Sequence, residues 1–324
     1  GYDPLASVQA AGPPGTISFI YGLPDPATFP AAELASAAAE VLEERSELAL
    51  QYGPEQGYGP LIDYLRQKLA REEGLQVERP HIMLTGGSAQ TIDHLCTLFT
   101  RPGDIVLVEA PTYHETLQLF RDHGLRPRQL PTDSGGLIVE GVAGRLEALA
   151  RRGERARLLY TIPNFQNPSG ITLAADRREP LLALARRYDL LVVEDDVYRD
   201  LAYEGQVPGS LFALDQRQPR WQDGGGRVLR IGSFSKILAP GVRMGWLLGP
   251  PGLIERAIGS GLRNMGGGAN PLMANILATY CRRGLLEPHI LQLRALYAER
   301  REAMLGALEQ HMPGGVDWTR PGGG

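Results

Sequence analysis

The stretch Arg227–Trp246, RVLRIGSFSKILAPGVRMGW, reads as a strand over Val228–Ile231, a turn of small residues, Lys236, and a second apolar run that begins near Met244. Only two of the chain's 33 basic residues are lysines, Lys68 and Lys236, so chemistry that needs a primary amine has two candidates. Lys68 lies in DYLRQKLAREE, a charged amphipathic pattern whose outer face is expected to be solvated. Lys236 instead has Ser233, Ser235, Gly241 and Arg243 around it, with apolar runs on both sides. An amine in such surroundings loses its proton more readily, because desolvation disfavours the ammonium form. A neutral amine can attack a carbonyl and form a Schiff base. Two hydroxyls, and an arginine seven residues on, are what the phosphate of a phosphorylated aldehyde requires. The competing reading is a lysine with a buried stem and a solvated head, which is commoner for lysines at large. The neighbours of Lys236 weigh against it.

The 324 residues, 43% of them hydrophobic, suffice for a large core and more than one domain. A formal charge of −4 with acids and bases interspersed shows no basic stripe for nucleic acid. Cys96 and Cys281 stand far apart without metal-ligand spacing, which predicts reduced thiols in a cytoplasmic protein and no metal site. No apolar window approaches the length needed to cross a membrane, and the N-terminal residues lack a signal-peptide pattern. The first residue is Gly1 rather than Met, as in an excerpt from a longer chain.

Working outward from the lysine stretch, residues 1–30 are rich in Gly and Pro and suggest an extended arm. Residues 31–46 are strong helix formers behind Pro30. Tyr52 stands in a glycine-rich loop before a helix that ends near Gly74. From His81 the chain becomes a run of α/β units. HIMLT is a strand, and Gly86-Gly87-Ser88-Ala89-Gln90 opens an amphipathic helix, so its free amides and positive dipole end offer a phosphate site. An ordinary helix start with Ser88 as N-cap uses the same donors. DIVLVEAPTYHETLQLF is a strand and helix with Tyr113 at the turn, where an aromatic ring can stack on a flat cofactor or simply sit at the rim. A helix over Val139–Arg151 precedes ARLLYTIPNFQNPSGITL, whose strand ends at Pro163 before an irregular loop holding Asn164 and Asn167. LLVVEDDVYRDL then gives a buried strand ending in three acids, at the strand end where open α/β sheets place ligands. Those acids suit a magnesium site, a solvated turn, or the protonated nitrogen of a pyridine ring. Beyond Trp246, GPPGLIERAIGSGLRNM reads as a helix leaving the sheet, and residues 267–310 as largely helical.

Taken together, SFSKILAPGVRMGW, the GLP segment, the Tyr52 loop, GGSAQ, QNPSG and VVEDDVY resemble the class I and II aminotransferases in order and spacing. These are the fold-type I enzymes of pyridoxal phosphate (PLP). The chain is most similar to their branch of α-aminoadipate and kynurenine aminotransferases and the aminotransferase-like domains of MocR regulators. The resemblance implies an α/β large domain with a mostly parallel central sheet flanked by helices, plus a smaller domain. It places an N-terminal arm and small-domain segment in residues 1–45, the large PLP-binding domain in 46–262, and linking helices with the start of the small domain in 263–324. It implies that Lys236 forms the Schiff base with PLP, that Asp195 faces the ring nitrogen, and that Tyr198 and Asn167 meet the phenolate oxygen. Asn167 takes that role rather than Asn164 because it directly precedes a proline, and Asp196 is left for a helix cap or a solvent contact. Tyr113 would stack on the ring. Ser88, Ala89, Gln90, Ser233, Ser235 and Arg243 would hold the phosphate, joined by Tyr52 from the partner subunit of a homodimer. Gly22 and Asn167 would border the substrate.

The implied reaction moves an amino group between an L-amino acid and a 2-oxo acid. Two other functions share these motifs, a PLP-dependent lyase or decarboxylase and the effector domain of a MocR-type regulator, because fold does not fix reaction. The resemblance also implies a further segment after VDWTRPGGG with the arginine that clamps the substrate carboxylate, a position Arg320 does not fill. The small domain is therefore expected to be incomplete.

Overall fold

Short apolar runs bounded by turn residues become strands, and the amphipathic stretches between them become helices. The computed structural model describes residues 22–221 and 224–324. Its first half holds α1 (Ala31–Ala49), α2 (Gly59–Glu73), β1 (Ile82–Thr85), α3 (Ser88–Phe99), β2 (Ile105–Ala110), α4 (His114–Asp122), β3 (Arg126–Asp133), β4 (Gly136–Leu137) and α5 (Val139–Arg151). The second half holds β5 (Ala156–Thr161), α6 (Ala175–Arg187), β6 (Leu191–Asp195), α7 (Leu211–Gln216), β7 (Val228–Ser233) and β8 (Gly245–Leu248). It ends with α8 (Pro251–Ile258), α9 (Gly261–Asn264), α10 (Pro271–Arg282) and α11 (Leu286–His311).

The eight strands form one sheet in the order β1-β8-β7-β6-β5-β2-β3-β4. Strands β7, β6, β5, β2 and β3 run parallel, whereas β8 is antiparallel to both its neighbours and β4 is antiparallel to β3. Both faces of the parallel strands are covered, which is why they read as continuous apolar runs. Leu107, Leu159, Val192 and Val228 face one core with α2, α5, α6 and α7. Val106, Leu158, Tyr160, Val193 and Leu229 face the other with α3, α4 and α8. From β2 the chain steps outward to β3, then returns to lay β5, β6 and β7 on the opposite side of β2. The strand order reverses between β2 and β5, and ligands bind outside the carboxyl ends of strands at such a point.

Helix α5 has the limits read from the sequence, and α1 runs on to Ala49 through a kink at Arg45. The segment after Trp246 is two helices rather than one, because the chain turns at Gly259 and Ser260. Ser88 is the first residue of α3 rather than its N-cap, a place taken by Gly87.

The larger correction concerns Lys68, which is 3% exposed and not solvated. It shares a face of α2 with Leu65 and Leu69, and its ammonium donates to Asp200 at 2.8 Å and to Glu72. Burial alone would favour the neutral amine there, but Asp200 and Glu72 outweigh it and raise the pKa. Lys68 is thus a fixed cation. Lys68→Met would leave Asp200 without its partner, and removing one member of such a pair costs about 3 kcal/mol. Urea unfolding of the apoprotein should show a loss on that scale; a loss below about 1 kcal/mol would put the pair with ordinary surface bridges.

Candidate active site

The carboxyl ends of the parallel strands carry the residues singled out above. Tyr113 follows β2 as the N-cap of α4, Asn167 lies in the loop after β5, Asp195 ends β6, and Ser233 ends β7 just before Lys236. The antiparallel β8 brings in the remaining side, since Gly245 pairs with both Ser233 and Thr85. Gly86 and Gly87 therefore stand beside the turn that carries Lys236.

Lys236 is half-buried, with its Nζ 6.0 Å from the centre of the Tyr198 ring. Burial, with Arg243 adding to it, outweighs the attraction of Asp195 and lowers the amine's pKa. Of the two lysines this is the one poised to lose its proton. Asp195 is 6% exposed, and its Oδ2 accepts from the Tyr160 hydroxyl at 2.6 Å. Burial pushes its pKa up to about 6 and the charge of Asp196 adds to this, while the Tyr160 hydrogen bond and Lys236 favour the ionised form. Oδ1 is buried and has no hydrogen-bond partner among the described residues. The Tyr198 hydroxyl accepts from Asn167 Nδ2 at 3.3 Å. Burial raises the Tyr198 phenol to about 12, with Asp195 and the nearby Tyr113 adding to it and the Asn167 bond opposing.

The other end of the site is built to meet an anion. The first amides of an α-helix have no partner inside it, and those of α3 open at Gly87, whose φ of 98° favours glycine. Arg243, itself left-handed at φ 46°, lays its guanidinium against that glycine and donates from Nη2 to the Gly86 carbonyl at 3.3 Å. A Cβ at Gly87 would come within 2.8 Å of Arg243 Nη2, so only glycine leaves the guanidinium its place. Ser233 Oγ donates to Ser235 Oγ at 3.0 Å and accepts from the Ser235 amide. Gln90 closes the turn by accepting from the Gly86 amide at 2.9 Å. Ser88 and Ala89 occupy the first turn of α3. A phosphate here would meet helix amides, two hydroxyls and one guanidinium.

Five predicted residues are exposed: Gly22, Tyr52, Ala89, Tyr113 and Arg243. Tyr52 is 81% exposed with its ring against Gly266, and Gly22 is exposed with nothing within 4 Å of the place a Cβ would take. The remaining residues of the arm, 1–21, lie outside the described residues. Asp196 is corrected: it is neither a helix cap nor in contact with solvent, but buried. It accepts from Asn164 Nδ2 at 2.6 Å and from Arg230 Nε at 2.9 Å. Asn164 in turn accepts from the fully buried Arg178 at 2.8 Å, so it serves this network rather than a local turn. Glu194 accepts from the amides of Leu211 and Phe212 at the start of α7. Sequence reading passed over Tyr160. The signal was a phenol inside an otherwise apolar strand, where a buried hydroxyl needs a partner.

The sequence profile of the family "Aminotransferase class I and II" matches residues 22–324. Aromatic-amino-acid aminotransferase 1 of Thermococcus litoralis is 39% identical over 95% of this chain and 72% of its own length. The 2-aminoadipate transaminase of Thermus thermophilus is 36% identical over 96% of this chain and 74% of its own. The crystal structure of Pyrococcus horikoshii kynurenine aminotransferase superposes with a TM-score of 0.86 at 41% identity, covering 94% of this chain and 73% of that one.

The raised pKa of Asp195 has a consequence for the apoprotein. Between the ordinary 3.8 and about 6 the folded chain holds a proton that the unfolded chain has released, so stability falls as pH rises through that window and stays lower above it. Asp195→Asn removes this dependence. The variant's apoprotein should gain on the order of 2 kcal/mol relative to wild type between pH 4 and pH 7.5. Thermal unfolding at both pH values checks it, and parallel profiles for the two proteins would contradict the assignment.

Proposed function

This chain belongs to the class I and II aminotransferases and is a transaminase with pyridoxal phosphate as cofactor, and on that premise we propose how its own residues divide the work. The site fits the cofactor on two observations: a buried carboxylate oxygen of Asp195 without a partner among the described residues, and a glycine at 87 that keeps an anion cradle open beside Arg243. When bound, the cofactor supplies an aldehyde that exchanges amino groups and a ring that accepts the electron pair left by the departing α-proton. Asp195 would keep the ring nitrogen protonated through Oδ1. Tyr198 and Asn167 would contact the phenolate oxygen, Tyr113 would lie on the ring, and Ser88, Ala89, Gln90, Ser233, Ser235 and Arg243 would hold the phosphate. Lys236 Nζ would hold the cofactor through its aldehyde and would take and return the substrate's α-proton. Gly22 and Asn167 would border the substrate.

The observation that carries this reading is the contrast between the two lysines. Lys68 is buried and held as a cation by two carboxylates, whereas Lys236 has its proton affinity lowered by burial despite the charge of Asp195.

The active unit in this proposal is a homodimer that shares its sites. Leu48, Leu50, Tyr52, Leu262 and Met265 are all exposed, with Met265 at 86%. Large apolar side chains exposed in number suit an interface. Tyr52 of a second copy would then complete the phosphate cradle. Among the described residues no helix is long and apolar enough to cross a membrane. The two free, buried cysteines support a reducing compartment such as the cytoplasm. Aromatic amino acids, 2-aminoadipate and kynurenine head the panel of amino donors, with 2-oxoglutarate and pyruvate as acceptors. Release of ammonia or carbon dioxide in place of a paired oxo acid would favour a lyase.

Borohydride reduction in the presence of PLP, followed by peptide mapping, should mark Lys236, and a label on Lys68 would overturn the assignment. Asp195→Ala, assayed at saturating PLP, should slow the half-reaction with an amino acid by roughly 10²- to 10³-fold, the scale of losing one main electrostatic group. A near-normal single-turnover rate would remove Asp195 from that role.

A further inference from the structure

Tyr160 is fully buried in β5, its ring edge-on to Phe120 at 5.8 Å within the core that α3 and α4 cover. A phenol in that place serves packing no better than phenylalanine, so its hydroxyl calls for a separate reason. The hydroxyl has one proton, and an ionised carboxylate only accepts. The 2.6 Å contact with Asp195 Oδ2 is therefore a donation by Tyr160, which leaves the phenol oxygen to accept from Thr116 Oγ1 at 3.3 Å. A chain of donors thus runs from α4 through β5 to the end of β6. It occupies one carboxylate oxygen and leaves Oδ1 without a partner among the described residues. We propose that Tyr160 is a positioning residue that fixes the rotation of the Asp195 carboxylate and reserves Oδ1 for the cofactor's ring nitrogen. This rests on the role given to Asp195 above.

The other groups that bear on Asp195 set the sign of the effect. Asp196, the residue after β6, and Glu109 near the end of β2 repel its charge, and Lys236 attracts it. The phenol of Tyr198 lies near it and, being neutral, stabilises neither form strongly. The Val197 amide also favours the ionised form. Burial opposes ionisation, and Tyr160 is the one side chain that donates to the carboxylate among the described residues. Removing its hydroxyl raises the proton affinity of Asp195 and frees the carboxylate to turn.

The test is PLP binding to the apoprotein by equilibrium dialysis across pH 5 to 8.5, with wild type, Tyr160→Phe and Thr116→Val. In Tyr160→Phe the acid midpoint of binding should move up by about one pH unit, and affinity at pH 5, on the acid side of both midpoints, should fall about tenfold, since a hydrogen bond to a charged group contributes on that scale. Thr116→Val, which weakens the phenol as a donor, should move the midpoint the same way by a smaller step. Should Tyr160→Phe fail to fold, Thr116→Val decides by the presence or absence of that shift. Wild type that does not bind PLP would refute the functional reading. Wild type that binds, alongside variants with unchanged midpoint and affinity, would overturn the role of Tyr160 and leave that reading standing.

Discussion

Asp195 is a carboxylate taken out of water at the end of a central strand, with one oxygen engaged by Tyr160 and the other by nothing among the described residues. Such an arrangement is costly, because a buried charge without compensation shifts toward its neutral form. The rise of its pKa to about 6 expresses that cost. A protonated ring nitrogen would be a favourable occupant, because it would relieve the charge that the described residues leave uncompensated. The functional group is in this sense a strained one, and the structure around it is arranged to hold it in place.

The two acids that end β6, with Asp196 directly after them, show how that is achieved. Successive side chains on a strand point to opposite faces. Glu194 and Asp196 therefore turn one way and Asp195 the other. Glu194 meets the first amides of α7, and Asp196 meets Arg230 and Asn164. Arg230 is shared with Glu73 of α2, and Asn164 with Arg178 of α6, so the network ties the strand to the helices on that face. A parallel device holds the loops on the site side. Glu109 at the end of β2 accepts from Thr161 and the Ile162 amide, and Gln166 donates to the Pro111 carbonyl at 2.8 Å. The loops bearing Tyr113 and Asn167 are thereby bound to each other behind the site.

Local signals in the sequence carried much of this. The apolar runs of β2, β5, β6 and β7, the glycine turn before α3 and the limits of α5 all follow from patterns within a few residues. What the sequence hid is the pairing of residues far apart. Lys68 looked like a surface cation because its partner Asp200 lies on another element, and nothing in DYLRQKLAREE points to it. Asp196 looked like a cap for the same reason, with Arg230 and Asn164 supplied from β7 and the loop after β5. Tyr160 could be read as a core aromatic until the end of β6 came alongside. Periodicity tells which face is buried; it does not tell which charged group waits there.

The scarcity of lysine gives this arrangement a simple chemical consequence. Arginine keeps its proton under any condition a protein meets, so it can bind anions but cannot become a nucleophile. Two lysines among 33 basic residues leave two amines able to do so, and the fold treats them in opposite ways. At Lys68, Asp200 and Glu72 outweigh burial, and the amine is held charged. At Lys236, Asp195 is the opposing charge, but its own proton affinity is already raised and its free oxygen is suited to a different cation. In the proposed assignment a protonated ring would engage that oxygen and divide its attraction for the ammonium, and the neutral form of Lys236 would become easier to reach. The carboxylate and the amine are therefore coupled: the partner that satisfies the one prepares the other.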